Sequence, residues 1–132
     1  MCDVHNASAL LYAVRTRDTL LLNNLISAIA GDVEQIERES NDGNSALTKA
    51  CSLNNIEQIE ILWRAGASIN AETSRGRTPL IEAAKAGAVE TCRFLVNRGA
   101  VIEYKSRQRK TAIQWAVISG HVPVQRQLRR DN

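Results

Sequence analysis

Ser74-Arg75-Gly76-Arg77-Thr78-Pro79-Leu80, near the middle of the chain, decides the architecture because it returns at a fixed distance on both sides. Asn41-Asp42-Gly43-Asn44-Ser45-Ala46-Leu47 stands 33 residues earlier, and Arg107-Gln108-Arg109-Lys110-Thr111-Ala112-Ile113 stands 33 residues later. The register runs on without a gap: Ala50 maps to Ala83 and Ala116, Leu62 to Leu95 and Leu128, and Gly66-Ala67 to Gly99-Ala100. A period of this length marks a stacked solenoid, whose units bury their apolar faces only against neighbours.

One unit, residues 74–106, shows how the repeat is built. Thr78 is a good N-cap, and Pro79 follows at the first helical position, where its missing N–H costs nothing. Leu80, Ala83 and Ala84 form an apolar stripe at helical spacing, and the two alanines permit close approach of neighbouring helices. Gly87 breaks this helix for a tight reversal, and a second helix follows with Val89, Cys92, Leu95 and Val96 on its buried side. Gly99 falls where a helix ends in a left-handed residue. Val101-Ile102-Glu103-Tyr104 reads as extended chain leading to the next turn.

This unit resembles an ankyrin repeat. Thr78-Pro79-Leu80-Ile81-Glu82-Ala83-Ala84 is similar to that family's T-P-L-H-x-A-A signature, with Ile81 where His is usual, and Gly66-Ala67-Ser68-Ile69-Asn70 is similar to its G-A-D-V-N segment. The resemblance implies an all-α solenoid of helix-turn-helix units with β-turn fingers. It would form a single domain over 1–132: a divergent N-terminal repeat at 7–40, repeats at 41–73 and 74–106, and a capping repeat at 107–132.

The ends depart from the pattern. Ser8-Ala9-Leu10-Leu11-Tyr12-Ala13 matches Ser45-Ala46-Leu47-Thr48-Lys49-Ala50 at a spacing of 37. The added residues read either as a longer loop around Gly31 to Ser40 or as a helix through Val33 to Glu39. Gln125 and Gln127 replace Cys92 and Phe94, as expected of a terminal unit whose outer face meets water. Arg109 stands where Gly43 and Gly76 stand, so the third finger is expected to bend differently if that position requires positive φ.

Composition narrows the chemistry. The chain has 132 residues, 44% hydrophobic but only 4% aromatic, so its core must rest on Leu, Ile, Val and Ala. No segment approaches the roughly 20 apolar residues of a membrane span, and Met1-Cys2-Asp3-Val4-His5 lacks the start of a secretory signal. The three cysteines therefore read as reduced thiols in cytosol or nucleus, with Cys51 and Cys92 as packing residues and Cys2 exposed. Histidines occur only at His5 and His121, and the latter follows Gly120 as a structural residue between helices. No Cys/His set has zinc spacing, no glycines form a phosphate loop, and Glu34, Glu37 and Glu39 read as a solvated face. No catalytic residue, cofactor, metal or small-molecule substrate is expected, and the chain is expected to be monomeric.

Charge is distributed unevenly. Residues 1–66 hold five Lys/Arg against nine Asp/Glu, a net −4, whereas 67–132 hold twelve against five, a net +7. The ankyrin resemblance implies binding through the fingertips and inner-helix surface of the concave side. Carried over by position, the fingertips are Asn41, Asp42 and Asn44, then Ser74, Arg75 and Arg77, then Arg107, Gln108 and Lys110. The inner-helix positions are Ser52 and Leu53, Lys85 and Ala86, and Ile118 and Ser119. Arg75, Arg77, Lys85, Arg107 and Lys110 would then share one face, which is either a binding surface or solubilising charge. Trp63 takes the position of Val96 and reads as core; Trp115 takes that of Lys49 and Glu82 and reads as exposed. It would serve as a hot spot beside the basic face or cover the end of the stack.

These residues point to a protein–protein interaction module or scaffold that binds a partner's acidic segment through Arg75, Arg77, Lys85, Arg107, Lys110, Trp115, Asp42, Leu53 and Ile118. The alternative is nucleic-acid or anionic-lipid binding by the basic C-terminal half, including Arg126, Arg129 and Arg130. The resemblance also implies Asn70 as a position for an asparaginyl hydroxylase, with Leu62 eight residues earlier.

Overall fold

Every regular element among the described residues is a helix. In chain order they are α1 (Asp3–Thr16), α2 (Thr19–Ile29), α3 (Ala46–Ser52), α4 (Ile56–Arg64), α5 (Pro79–Ala86), α6 (Val89–Asn97), α7 (Ala112–Ser119) and α8 (Val122–Asp131). The computed structural model describes residues 3–29, 32, 36, 43, 45–107 and 109–131, with side chains from 9 to 130 within those ranges.

Local chemistry sets the helix boundaries. Ser45, Thr78 and Thr111 hold extended backbone at φ −84°, −94° and −85°, and each side-chain oxygen accepts a bond from the amide three residues on, at 3.3 Å. In α3 and α7 the bond is reciprocated: Thr48 Oγ1 and Gln114 Oε1 accept from the Ser45 and Thr111 amides at 2.9 and 2.8 Å. In α5 Pro79 occupies the first helical position instead. The reversal inside each pair uses one left-handed residue, Arg17 (φ 60°), Asn54 (56°), Gly87 (78°) and Gly120 (77°). Arg17 lies 37 residues before Asn54, so the N-terminal pair turns on the same plan despite its longer spacing.

Stacking the pairs buries the seam. First helices pack α1 on α3, α3 on α5 and α5 on α7; second helices include α2 on α4, α4 on α6 and α6 on α8. Ala13, Ala46, Ala50, Ala83, Ala84, Ala112 and Ala116 bring the first layer together and are all but sealed from solvent. Leu10, Leu47 and Leu80 recur between successive units, as do Leu62, Leu95 and Leu128 between the layers. Each such leucine contributes about 1.5–3 kcal/mol relative to exposure.

Polar groups tie the turns across the seams. Buried Gln58 donates to Ala13 O at 3.1 Å and accepts from Asn55 Nδ2 at 2.6 Å. Thr91, one period later, donates to Asn54 Oδ1 at 2.6 Å. The reversals at Arg17 and Asn54, the two without glycine, are thus each tied to the second helix of the next unit.

Arg109 keeps φ 62° beside 78° for Gly43 and Gly76, so the third finger does not bend differently. Its amide bonds Ser106 O at 2.7 Å, as that of Gly76 bonds Thr73 O at 2.8 Å, and the shared turn holds the strained arginine in place. Val101-Ile102-Glu103-Tyr104 is not continuously extended, because Ile102 and Glu103 form a turn. Ile36 is helical, with its amide on Asp32 O at 3.2 Å and its side chain buried. The rest of the alternative helix through Val33 to Glu39 lies outside the described residues, as do Cys2, Asn41, Asp42, Asn44 and Gln108. Cys51 and Cys92 are buried thiols; burial pushes Cys51 well up, helped by the neighbouring Cys92 and Glu82, and pushes Cys92 up to about 12. Among the described residues, no helix is long and apolar enough to cross a membrane.

Candidate functional site

The fingers place two cations at equivalent steps into adjacent inner helices. In the second finger Thr73 N bonds Arg77 O at 2.9 Å; in the third, Ser106 N bonds Lys110 O at 3.2 Å. These closures leave Arg77 and Lys110 immediately before the N-caps Thr78 and Thr111. A residue in that place packs against the one five positions on, in the first turn of the helix. Arg77 accordingly meets Glu82, with Nη1 3.3 Å from Oε1. Lys110 meets Trp115, its Nζ 5.9 Å from the ring centroid. One geometry thus holds an ion pair in one repeat and a cation–π contact in the next.

Stacking α7 on α5 brings these two arrangements together. Arg77 Cζ lies 5.4 Å from the Trp115 centroid, and Lys85 Nζ, one helical turn after Glu82 on α5, lies 5.4 Å from it as well. Three cations therefore surround one indole. Glu82 is the acid among them and is committed to Arg77, while no carboxylate among the described residues pairs with Lys85 or Lys110. Burial lowers the Lys85 pKa from its ordinary value, and the charges of Arg77 and then Arg75 lower it further, opposed by Glu82. Two buried donors, Arg77 Nε and Trp115 Nε1, have no acceptor among the described residues. Each unsatisfied buried donor costs about 1–3 kcal/mol, so the arrangement is locally unfavourable although the surrounding repeats are well satisfied.

The expected exposure of Trp115 needs correction: it is half-buried. The inference that its position tolerates exposed charge fails because Glu82, its equivalent, is itself buried and neutralised by Arg77. Arg77 is likewise largely covered, at 13% side-chain exposure. Lys85 and Lys110 are half-buried, and Arg75 is exposed. Arg107 stands apart from the indole. Its Nη2 donates to Thr73 O at 3.1 Å and to Ser74 O, and its amide donates to Glu72 Oε2 at 2.8 Å, so its donors couple the third finger to the second. Glu72 also accepts from the Tyr104 hydroxyl. That bond, then the Arg107 amide, hold the Glu72 carboxyl below its usual range, and the same bond to Glu72 raises the Tyr104 pKa.

Of the remaining candidates, Ile118 lies on α7 one turn beyond Trp115 and is 59% exposed, whereas Leu53 is half-buried two repeats away, just after α3. Leu53 O accepts from Arg17 Nη2 at 2.7 Å. Asp42 falls outside the described residues. Asn70 bridges forward to the next unit, donating to Gly99 O at 3.2 Å and accepting from Val101 N at 3.0 Å. Trp63 sits at the rim of the core rather than within it, edge-on to Phe94 at 6.5 Å with Arg98 over its ring. Among the described residues no group of His, Cys, Asp and Glu is arranged to hold a metal ion.

The sequence reading set Trp115 beside the basic face but missed the role of Glu82 and the direct contact of three cations with the ring. The five-residue separation shared by Arg77–Glu82 and Lys110–Trp115 was the available signal. The family model described as Ankyrin repeats (3 copies) matches residues 65–132, and the model described as Ankyrin repeat matches residues 42–74. No curated protein matches the chain.

Proposed function

We propose that this chain, which belongs to the ankyrin repeat family, binds an acidic segment of a protein partner at the cationic surface around Trp115. Ankyrin repeats are generally protein–protein interaction modules, which supports the coarser part of this reading. The observation that carries the finer part is the convergence of Arg77, Lys85 and Lys110 on one half-buried indole, with Glu82 the one acid paired there among the described residues. An acidic side chain placed there relieves the like-charge crowding and meets preorganised cations. Ile118 extends the surface with exposed apolar area, and Arg75 adds charge at its finger edge. The mechanism is equilibrium binding by a preformed surface, with no covalent step. An interface of ordinary size, about 800 Å² on this side, would reach beyond the cluster along the neighbouring fingers.

Trp115 is its own reporter. In a Trp63→Phe background it is the remaining indole. Titration with a decaglutamate peptide is expected to change its emission saturably, whereas decalysine should leave it unchanged. Lys85→Gln/Lys110→Gln in the same background should weaken the glutamate response at least tenfold. An unchanged spectrum, or an equal response in the variant, would contradict the assignment. Duplex DNA is expected to give only a complex that added salt dissolves, as phosphate contacts alone do.

A further inference from the structure

We infer that the Trp115 site is built for a doubly charged phosphate monoester, a phosphorylated side chain in the partner's acidic segment, and not merely for carboxylates. This inference rests on the binding reading above and sharpens it. Arg77, Lys85 and Lys110 bring three positive charges around one ring, and Glu82 cancels one of them. Among the described residues, two net positive charges remain around the ring. A carboxylate neutralises one of these, whereas a phosphate monoester carries about −1.5 to −2 at neutral pH and offers three terminal oxygens. Three cations of different reach match three oxygens better than two.

The neighbourhood favours the same ligand. Lys85 and Lys110 lack acidic partners among the described residues, and Arg77 has Nη1 on Glu82 while Nη2 remains for a ligand. Arg75 contributes further positive field at Lys85. The half-buried indole supplies an apolar wall beside these cations. A phosphodiester backbone fits less well. It carries one charge per phosphate and is matched by a stripe of cations, whereas here the charge is gathered at one point. The neighbouring polar group is already occupied: Glu72 is spent on Tyr104 and Arg107, and the finger arginine Arg107 on Thr73 and Ser74.

The test is an NMR titration of the full chain, following the Trp115 indole N–H resonance assigned through Trp115→Phe. Three peptides are compared: glutamate-rich with a central phosphoserine, the same with serine, and the same with glutamate at that position. The phosphoserine peptide is expected to bind at least tenfold tighter than the glutamate peptide. Its affinity should climb between pH 5 and 7 as the second phosphate proton, of pKa about 6, is lost. Lys85→Gln and Lys110→Gln should each reduce it toward the serine peptide, with a folded spectrum retained. Equal binding of the phosphoserine and glutamate peptides would overturn the phosphate inference and leave the acidic-segment reading standing. No response to any peptide would overturn both. Inorganic phosphate as effective as the phosphopeptide would overturn a phosphorylated side chain as the source, assigning the site to the free anion.

Discussion

Arg109 occupies the same left-handed turn as Gly43 and Gly76, at φ 62°, and a β-carbon there costs roughly 1–2 kcal/mol. Arg109→Gly is therefore expected to raise stability by about 1 kcal/mol, less a few tenths for added unfolded-state freedom, as read by chemical denaturation. A loss would mean that the arginine side chain contributes more than its backbone costs. Glu72 gives a pH-dependent counterpart. Its folded pKa is lowered, so the stability it confers is present above the unfolded value of about 4.3 and disappears as pH falls through the folded value. Glu72→Gln should lower the melting temperature at neutral pH and flatten this part of its acid dependence. At this scale the sequence was legible where one residue acts alone: the caps Ser45, Thr78 and Thr111, and the glycine reversals. It misled at Trp115, because exposure was inferred from the charge of Glu82 and a buried charge with a partner looks the same in sequence as an exposed one.

The helices are fixed by short-range rules, which is why their positions follow from a 33-residue register and a few caps. Thr78→Ala should cost about 1 kcal/mol, because only the Thr78 hydroxyl accepts from the Ile81 amide at that end of α5. Gly87→Ala should cost more. The residue has φ 78°, and an added Cβ would come within 2.7 Å of the His121 ring, whose Nε2 lies 3.0 Å from Lys85 O. Urea midpoints of the two variants would check both values, and an equal or smaller loss for Gly87→Ala would show that the ring yields freely. The bonds joining one helix pair to the next were not legible. Gln58 to Ala13, Thr91 to Asn54 and Arg107 to Thr73 span a whole unit or more, and nothing local distinguishes these polar residues from solvated ones.

Across the described repeats the stack runs from an acidic first half to a basic second half, and its last described unit shows a face of mixed character. Gln114 and Val117 are exposed, while the residues one period earlier, Ile81 and Ala84, are sealed by the next unit. Val117→Gln should hence be nearly neutral, whereas Ala84→Gln should overpack the α5–α7 seam and cost several kcal/mol. The basic half was legible as composition, but its focus was not, since Arg77, Lys85, Lys110 and Trp115 meet only when α7 stacks on α5. The claim that this focus exists for binding is tested most directly by thermal denaturation of the wild type and Lys85→Gln/Lys110→Gln, each with and without saturating decaglutamate. A ligand raises the melting temperature only through affinity for the folded state. The account predicts unliganded melting temperatures within a few degrees of each other, with the peptide raising that of the wild type and not of the variant. A variant that melts much earlier, yet gains as much from the peptide as the wild type, would contradict it.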